Sequence, residues 1–167
     1  KIPKKIKLIN CVGGGSSAYG FWSEFIDFSK NQIELIGVEA GGPSQSKLHA
    51  APLSRGAKLG ILHGAASYVC QNKEGQINET ESISAGLDYP GVSPIHCFLK
   101  DSKRARYTFA TDEDALKAYQ MIKKYEKLNP SLEPSHAFAE AIRIAPKLDK
   151  NVIIIARFIP AIETSPC

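Results

Sequence analysis

Three glycines and two serines in a row, Gly13-Gly14-Gly15-Ser16-Ser17, separate two segments of different hydrophobic period. Before them, Lys7-Leu8-Ile9-Asn10-Cys11-Val12 reads as a short strand. After them, Ala18 to Phe28 carries Phe21, Trp22, Phe25, Ile26 and Phe28 at helical spacing. Gln32 to Ala40 is a second apolar strand. Strand, glycine turn, helix and strand make a βαβ unit, whose crossover predicts parallel strands. The chain is thereby placed in the α/β class, with a mainly parallel sheet.

The turn has a chemistry of its own. Glycines reach backbone angles that other residues avoid, so successive N–H groups can point into one hollow. A helix starting there aims its unpaired N–H groups and the positive end of its dipole at the same place. Ser16 and Ser17 add hydroxyl donors, and the product is an anion cup suited to a phosphate monoester. A turn that merely starts a helix is the plain alternative. Gly13-x-Gly15-x-x-Ala18 also satisfies a dinucleotide fingerprint, and Glu39 ends the next strand where a ribose-binding acid would stand. The paired serines favour a terminal phosphate over a pyrophosphate. No GxxxxGK[ST] is present, which excludes a nucleoside-triphosphate loop here.

Further along, Gly41-Gly42-Pro43-Ser44 is a loop, and Gln45 to Ser54 is expected as a short helix cut by Pro52. Leu59–Cys70 and Gln76–Ser82 are expected to pair as a hairpin across Asn72–Gly75. Ser84 to Pro94 lacks periodicity and reads as an ordered loop, of a length that is often functional. Arg106 to Ala110 is a strand, and Thr111 caps a helix from Asp112 to about Leu128. That helix has acids at its N-terminal end and lysines near its C-terminal end, as the dipole favours. Ser135 to Ala145 is a second helix, stopped by Pro146, and Asn151 to Ala156 is a buried strand by composition.

Length and charge exclude several functions. The 167 residues suit one ordinary domain. The longest strongly apolar run, Val152 to Ala156, falls far short of the roughly 20 residues of a membrane helix. No signal-peptide core follows the basic first residues, so a cytoplasmic setting is expected, or an organelle stroma if a precursor carries a transit peptide. The start at Lys1 rather than Met is the expectation for a processed or partial product. Net charge is +4, and the densest basic patch, Lys100, Lys103, Arg104 and Arg106, lacks interleaved aromatics. It reads as a solvated face, with neither nucleic acid nor membrane as partner. Cys11, Cys70, Cys97 and Cys167 form no CxxC pair, and free thiols are expected. The four histidines lack the spacing of a zinc site.

Several segments together resemble the β subunit of tryptophan synthase. They are CVGGGSSAYG (Cys11–Gly20), LIGVEAGG (Leu35–Gly42), GQINETESISAGLDYPGVSP (Gly75–Pro94), ATDEDALKAY (Ala110–Tyr119) and LEPSHAFAEAI (Leu132–Ile142). The resemblance runs from about Ile6 to Ile155 and covers the C-terminal part of the family only. It implies a truncated type II pyridoxal-phosphate fold of three layers, and β-replacement of L-serine by indole to give L-tryptophan. Residues 1–167 are then one partial domain, with 157–167 as an atypical tail. The resemblance puts the cofactor phosphate on Gly13, Gly14, Gly15, Ser16 and Ser17, where Ser17 replaces the family's usual Asn. It also implies that Glu133 stands beside the cofactor ring, and that a monovalent cation binds the backbone carbonyls of Gly13, Tyr107 and Phe109.

Three departures accompany it. The lysine that forms the Schiff base belongs to the family's N-terminal part, and no lysine here stands in its motif. Arg106 occupies the position of an acid that meets the substrate. After Ile155 the family's serine- and glycine-rich turn gives way to Ala156-Arg157-Phe158-Ile159-Pro160. The implied partners are the missing N-terminal half, a β-type homodimer and an α-type subunit. In isolation the chain is expected to bind the cofactor phosphate without turnover. The alternatives are a phosphate- or nucleotide-binding module and a non-catalytic partner of a full-length subunit.

Overall fold

The computed structural model describes residues 5–161. Four strands form one parallel sheet: β1 (Lys5–Cys11), β2 (Ile33–Ala40), β5 (Ala105–Ala110) and β6 (Val152–Ala156), in the order β5-β2-β1-β6. Helix α1 (Ser16–Trp22) crosses from β1 to β2, as the glycine turn predicts, and a 3₁₀ turn over Ser23–Phe25 ends it sooner than the apolar spacing suggests.

Strand alternation divides the core in two. Leu8, Ile33 and Leu35 point to one face and pack with Ala18, Trp22 and Leu99, under α1 and α2 (Pro94–Asp101). Ile9, Cys11, Ile36 and Val38 point to the other and pack with Ala137 of α4 (Leu132–Ile144). Helix α3 (Asp112–Glu126) lies against α4. The sheet thus has helices on both faces, the three layers of an α/β fold. Thr111 caps α3 by accepting the Asp114 N–H at 3.3 Å. Helix α4 starts a turn before Ser135, because Ser131 takes the N-cap position and Pro134 is tolerated in the first turn.

Four expectations are corrected. Gln45–Ser54 is a series of turns, because Ala50 bridges back to Ala40 and the Leu53 and Ser54 amides bond to Glu39. The hairpin is shorter and earlier than expected: β3 (Lys58–Leu62) pairs with β4 (Ala65–Val69) through a turn in which His63 and Gly64 have positive φ, and only a Gln71–Ile77 bridge reaches the later segment. β6 is half-exposed rather than buried, since it is a sheet edge, with Ile153 46% and Ile155 43% exposed.

The basic patch is a solvated face only in part: Lys103 is exposed, whereas the two arginines are engaged. Arg104 donates to the carbonyls of Phe25, Ile26 and Ile33, and Arg106 pairs with Glu34 (3.6 Å) and Glu140 (2.8 Å). Arg106 is therefore tied into a charge network on the sheet that also includes Lys5, Lys7 and Arg143. Burial would raise the Glu34 carboxyl, but Lys7 and Lys5 hold it below its ordinary value. Cys11, Cys70 and Cys97 are free and buried, and Cys167 lies outside the described residues. Among the described residues no helix is long and apolar enough to cross a membrane.

Candidate functional site

The glycine loop leaves the carboxyl end of β1, and β6 ends beside it, because the two strands pair in parallel up to Ile9–Ala156. The chain runs from β1 to β2 on one side, while β6 lies on the other. Open α/β sheets take ligands at such a switch point.

The loop is held from beneath. Gly15, with φ 101°, is the residue before α1, and its carbonyl accepts the Tyr19 N–H at 2.9 Å. The first intrahelical bond therefore starts at Tyr19, which leaves the amides of Ser16, Ser17 and Ala18 without an acceptor inside the helix. The Gly14 carbonyl accepts the Ser93 N–H at 2.9 Å. The Gly15 carbonyl also accepts from His96 Nε2 at 2.8 Å, and His96 Nδ1 faces the Tyr107 hydroxyl at 2.7 Å. Burial lowers the His96 pKa, so the neutral ring donates through Nε2 and accepts through Nδ1. Trp22 meets the His96 ring edge-on at 5.7 Å.

Two of the three loop glycines leave no room for a side chain. A Cβ on Gly13 would stand 2.7 Å from the Gly86 carbonyl oxygen, and one on Gly15 would stand 2.2 Å from the His96 ring. Gly14 has nothing within 4 Å of its would-be Cβ. Ser17 accepts from Asn10 Nδ2 at 3.2 Å, and the buried Asn10 Oδ1 has no partner among the described residues. The exposed Ser16 hydroxyl makes no bond to the described residues.

Gly13 to Ser17, Cys11, Gly86, Leu87, Glu133 and Ile159 line one cavity of about 130 Å³. The loop and Glu133, separate in sequence, are thus brought together. Glu133 opens α4 and accepts the Gly86 N–H at 3.2 Å. Burial would raise its carboxyl, but hydrogen bonds from its own and the Gly86 amides keep it below its ordinary value, hence ionised. Burial, with the Glu133 charge, pushes the Cys11 thiol up to about 12. Glu133 and Ile159 also line a neighbouring cavity of about 660 Å³. Tyr107 and Phe109 lie on β5, separated from β1 by β2, and line neither cavity. No cluster of three or more His, Cys, Asp or Glu side chains able to hold a metal occurs among the described residues.

The sequence did not point to Cys11, Leu87, His96, Arg157 or Ile159 as parts of this site. The length of the Ser84–Pro94 loop was the only signal for Gly86 and Leu87. None existed for Arg157, which reaches Ser17 from 140 residues away, its Nη1 donating to the hydroxyl at 2.7 Å and to the carbonyl at 3.4 Å.

Glu39 is not free to hold a ribose. It is 1% exposed and accepts from the amides of Leu53 (2.9 Å) and Ser54 (2.6 Å) and from the Ser54 hydroxyl (2.5 Å). Burial lifts its pKa to about 7 against those bonds. An acid whose folded pKa exceeds its unfolded value stabilises fully below the unfolded pKa, and that contribution is lost as pH rises through the folded one. The melting-temperature difference between wild type and Glu39→Gln should therefore shift against wild type from about pH 4.5 to 7 and level off above. A difference independent of pH in thermal melts would show that Glu39 titrates normally.

No family model matches the chain. It is 48% identical over 149 residues to the tryptophan synthase beta chain of Chromobacterium violaceum, covering 89% of this chain and 37% of that protein. It is 50% identical over 149 residues to tryptophan synthase beta chain 1 of Chlamydia caviae, covering 89% and 35%. The chain thus spans little more than a third of the length of these relatives. Among solved structures it resembles a threonine deaminase from T.th., with TM-score 0.62 at 15% identity over 96% of this chain and 51% of that one. Maize serine racemase gives 0.59 at 13% identity, over 96% and 45%. These two share the fold of type II pyridoxal-phosphate enzymes with the present chain.

Proposed function

Because the chain belongs to the tryptophan synthase β family, we propose that its Gly13–Ser17 loop seats the phosphate of pyridoxal phosphate, in a protein whose complete form replaces the β-hydroxyl of L-serine with indole. The observation that carries this reading is the convergence of the loop and Glu133 on one cavity at the carboxyl ends of β1 and β6. The residues fit the group: two glycines admit no Cβ, Gly14 faces open space, and the amides of Ser16, Ser17 and Ala18 are free of helix acceptors.

When bound, pyridoxal phosphate supplies an electron sink for chemistry at an amino acid's carbons. The chain's own residues bind and orient it. Loop amides and the Ser16 and Ser17 hydroxyls bind the phosphate. His96 fixes the Gly15 carbonyl and so orients the loop. Glu133, anchored by the Gly86 N–H, sets a negative charge beside whatever extends from the loop toward the larger cavity. The family's N-terminal half, a second β chain and an α-type subunit are its partners, and the present chain alone holds the cofactor without turning it over.

Ser16→Ala should weaken pyridoxal-phosphate binding by about 1 kcal/mol or somewhat more, the scale of one hydrogen bond to a charged group. Isothermal titration of the 167-residue chain measures it. Unchanged affinity would count against the cup. A preference for a dinucleotide over pyridoxal phosphate in the same titration would favour the nucleotide alternative, although the engagement of Glu39 argues against that.

A further inference from the structure

We propose that Arg157 is a ligand to the phosphate in the Gly13–Ser17 loop, its guanidinium adding the cation that the loop and its cavity otherwise lack. The inference rests on reading the loop as a phosphate seat and deepens it.

The cavity at the loop is lined by glycines, serines, apolar groups, a thiol and a carboxylate, with no lysine or arginine among its lining residues. Glu133 is ionised there, and a phosphate monoester brings a further charge of about −1.5 to −2 at neutral pH. Amide and hydroxyl donors alone would leave these like charges uncompensated. Arg157 is placed to compensate them. It follows β6 directly, so the β1–β6 ladder delivers it to the carboxyl end of β1 next to Asn10. Its Nη1 bonds the Ser17 hydroxyl at 2.7 Å, and Ser17 is itself a loop residue. The side chain is exposed, and its charge also bears on Cys11 inside the cavity. A planar guanidinium with five donors can keep the Ser17 bond and still turn two N–H groups to phosphate oxygens.

The segment after Arg157 is anchored, so the arginine is held from both sides. Ser131 N–H donates to the Ile159 carbonyl at 2.9 Å, Ala161 N–H to the Asn129 carbonyl at 2.9 Å, and Pro160 bridges Pro130. Ile159 then forms part of the cavity wall. In this chain the stretch from Arg157 to Ala161 thus supplies a wall of the candidate site, through Ile159, and carries its cation.

The test is equilibrium dialysis of the whole chain against pyridoxal phosphate and, separately, pyridoxal. Wild type should hold the phosphate ester more tightly than the free alcohol. Arg157→Met should weaken the ester at least tenfold and leave pyridoxal unchanged, and Arg157→Lys should recover part of the loss. Arg157→Gln keeps a donor for Ser17 without the charge; it should lose ester preference as Met does, whereas a merely structural bond would survive the change. Wild type that fails to prefer the ester overturns the phosphate seat and Arg157 together. A preference that persists in Met and Gln variants with wild-type melting curves overturns Arg157 alone and leaves the seat standing.

Discussion

Gly15→Ala is expected to destabilise the chain by roughly 3–5 kcal/mol and to abolish measurable pyridoxal-phosphate binding. Two costs combine. Gly15 has φ 101°, a left-handed backbone angle that a side chain adopts only with strain. Its new methyl would also stand 2.2 Å from His96 Cδ2 and 2.5 Å from Nε2, inside a packed contact with a ring that is fully buried. His96 has no room to retreat, since Trp22 meets its edge and its Nδ1 is committed to Tyr107. The comparison variant is Gly14→Ala, where a Cβ meets nothing within 4 Å. It should melt close to wild type yet bind pyridoxal phosphate less well, because Gly14 lines the loop cavity of only about 130 Å³. Urea unfolding and calorimetric titration of both variants separate fold from site. A Gly15→Ala protein as stable as wild type would mean that the loop is not held by His96 as described.

Trp22→Ala carries the second large effect, a loss of about 3–5 kcal/mol. The indole is fully buried at the end of α1 and touches both His96 and Tyr107 edge-on, at 5.7 and 6.5 Å between ring centres. Truncation opens a cavity behind the pair that supports the loop, so thermal stability and ligand affinity should fall together. Phe28→Ala is the control: Phe28 is 48% exposed, so its removal should cost far less than a buried aromatic. Melting curves that lowered both variants equally would contradict the placement of Trp22 at the centre of this core.

Much of this architecture is readable without coordinates, and the reason is local. The glycine run, the switch from a period of two to a period of three to four residues, and the Thr111 cap each act within a few residues of chain, so β1, α1, β2 and α3 emerge from the sequence close to their true starts. What depends on distant contacts does not. Helix α2 does carry a local start signal, Ser93 at the N-cap followed by Pro94, but it is only eight residues long and follows a Gly/Pro-rich loop in which Ser-Pro reads equally as a turn. Val152–Ala156 has the composition of a central strand, but composition cannot tell a centre from an edge, and the sheet order leaves it outermost. Arg104 has the sequence context of a charged surface, although its guanidinium donates to three backbone carbonyls, those of Phe25 and Ile26 after α1 and of Ile33 at the start of β2. The candidate site divides in the same way. Its glycine loop is one contiguous stretch, whereas Arg157, Ile159 and His96 reach it only through the sheet and α2.

The bonds from Ser93 and His96 to the Gly14 and Gly15 carbonyls have a thermodynamic consequence. The bend is rigidified by the polypeptide itself before any guest arrives. Little chain disorder is then surrendered on complexation, and more of the gross attraction survives as net affinity. It also means that recognition is inherited from residues far downstream that never touch the guest.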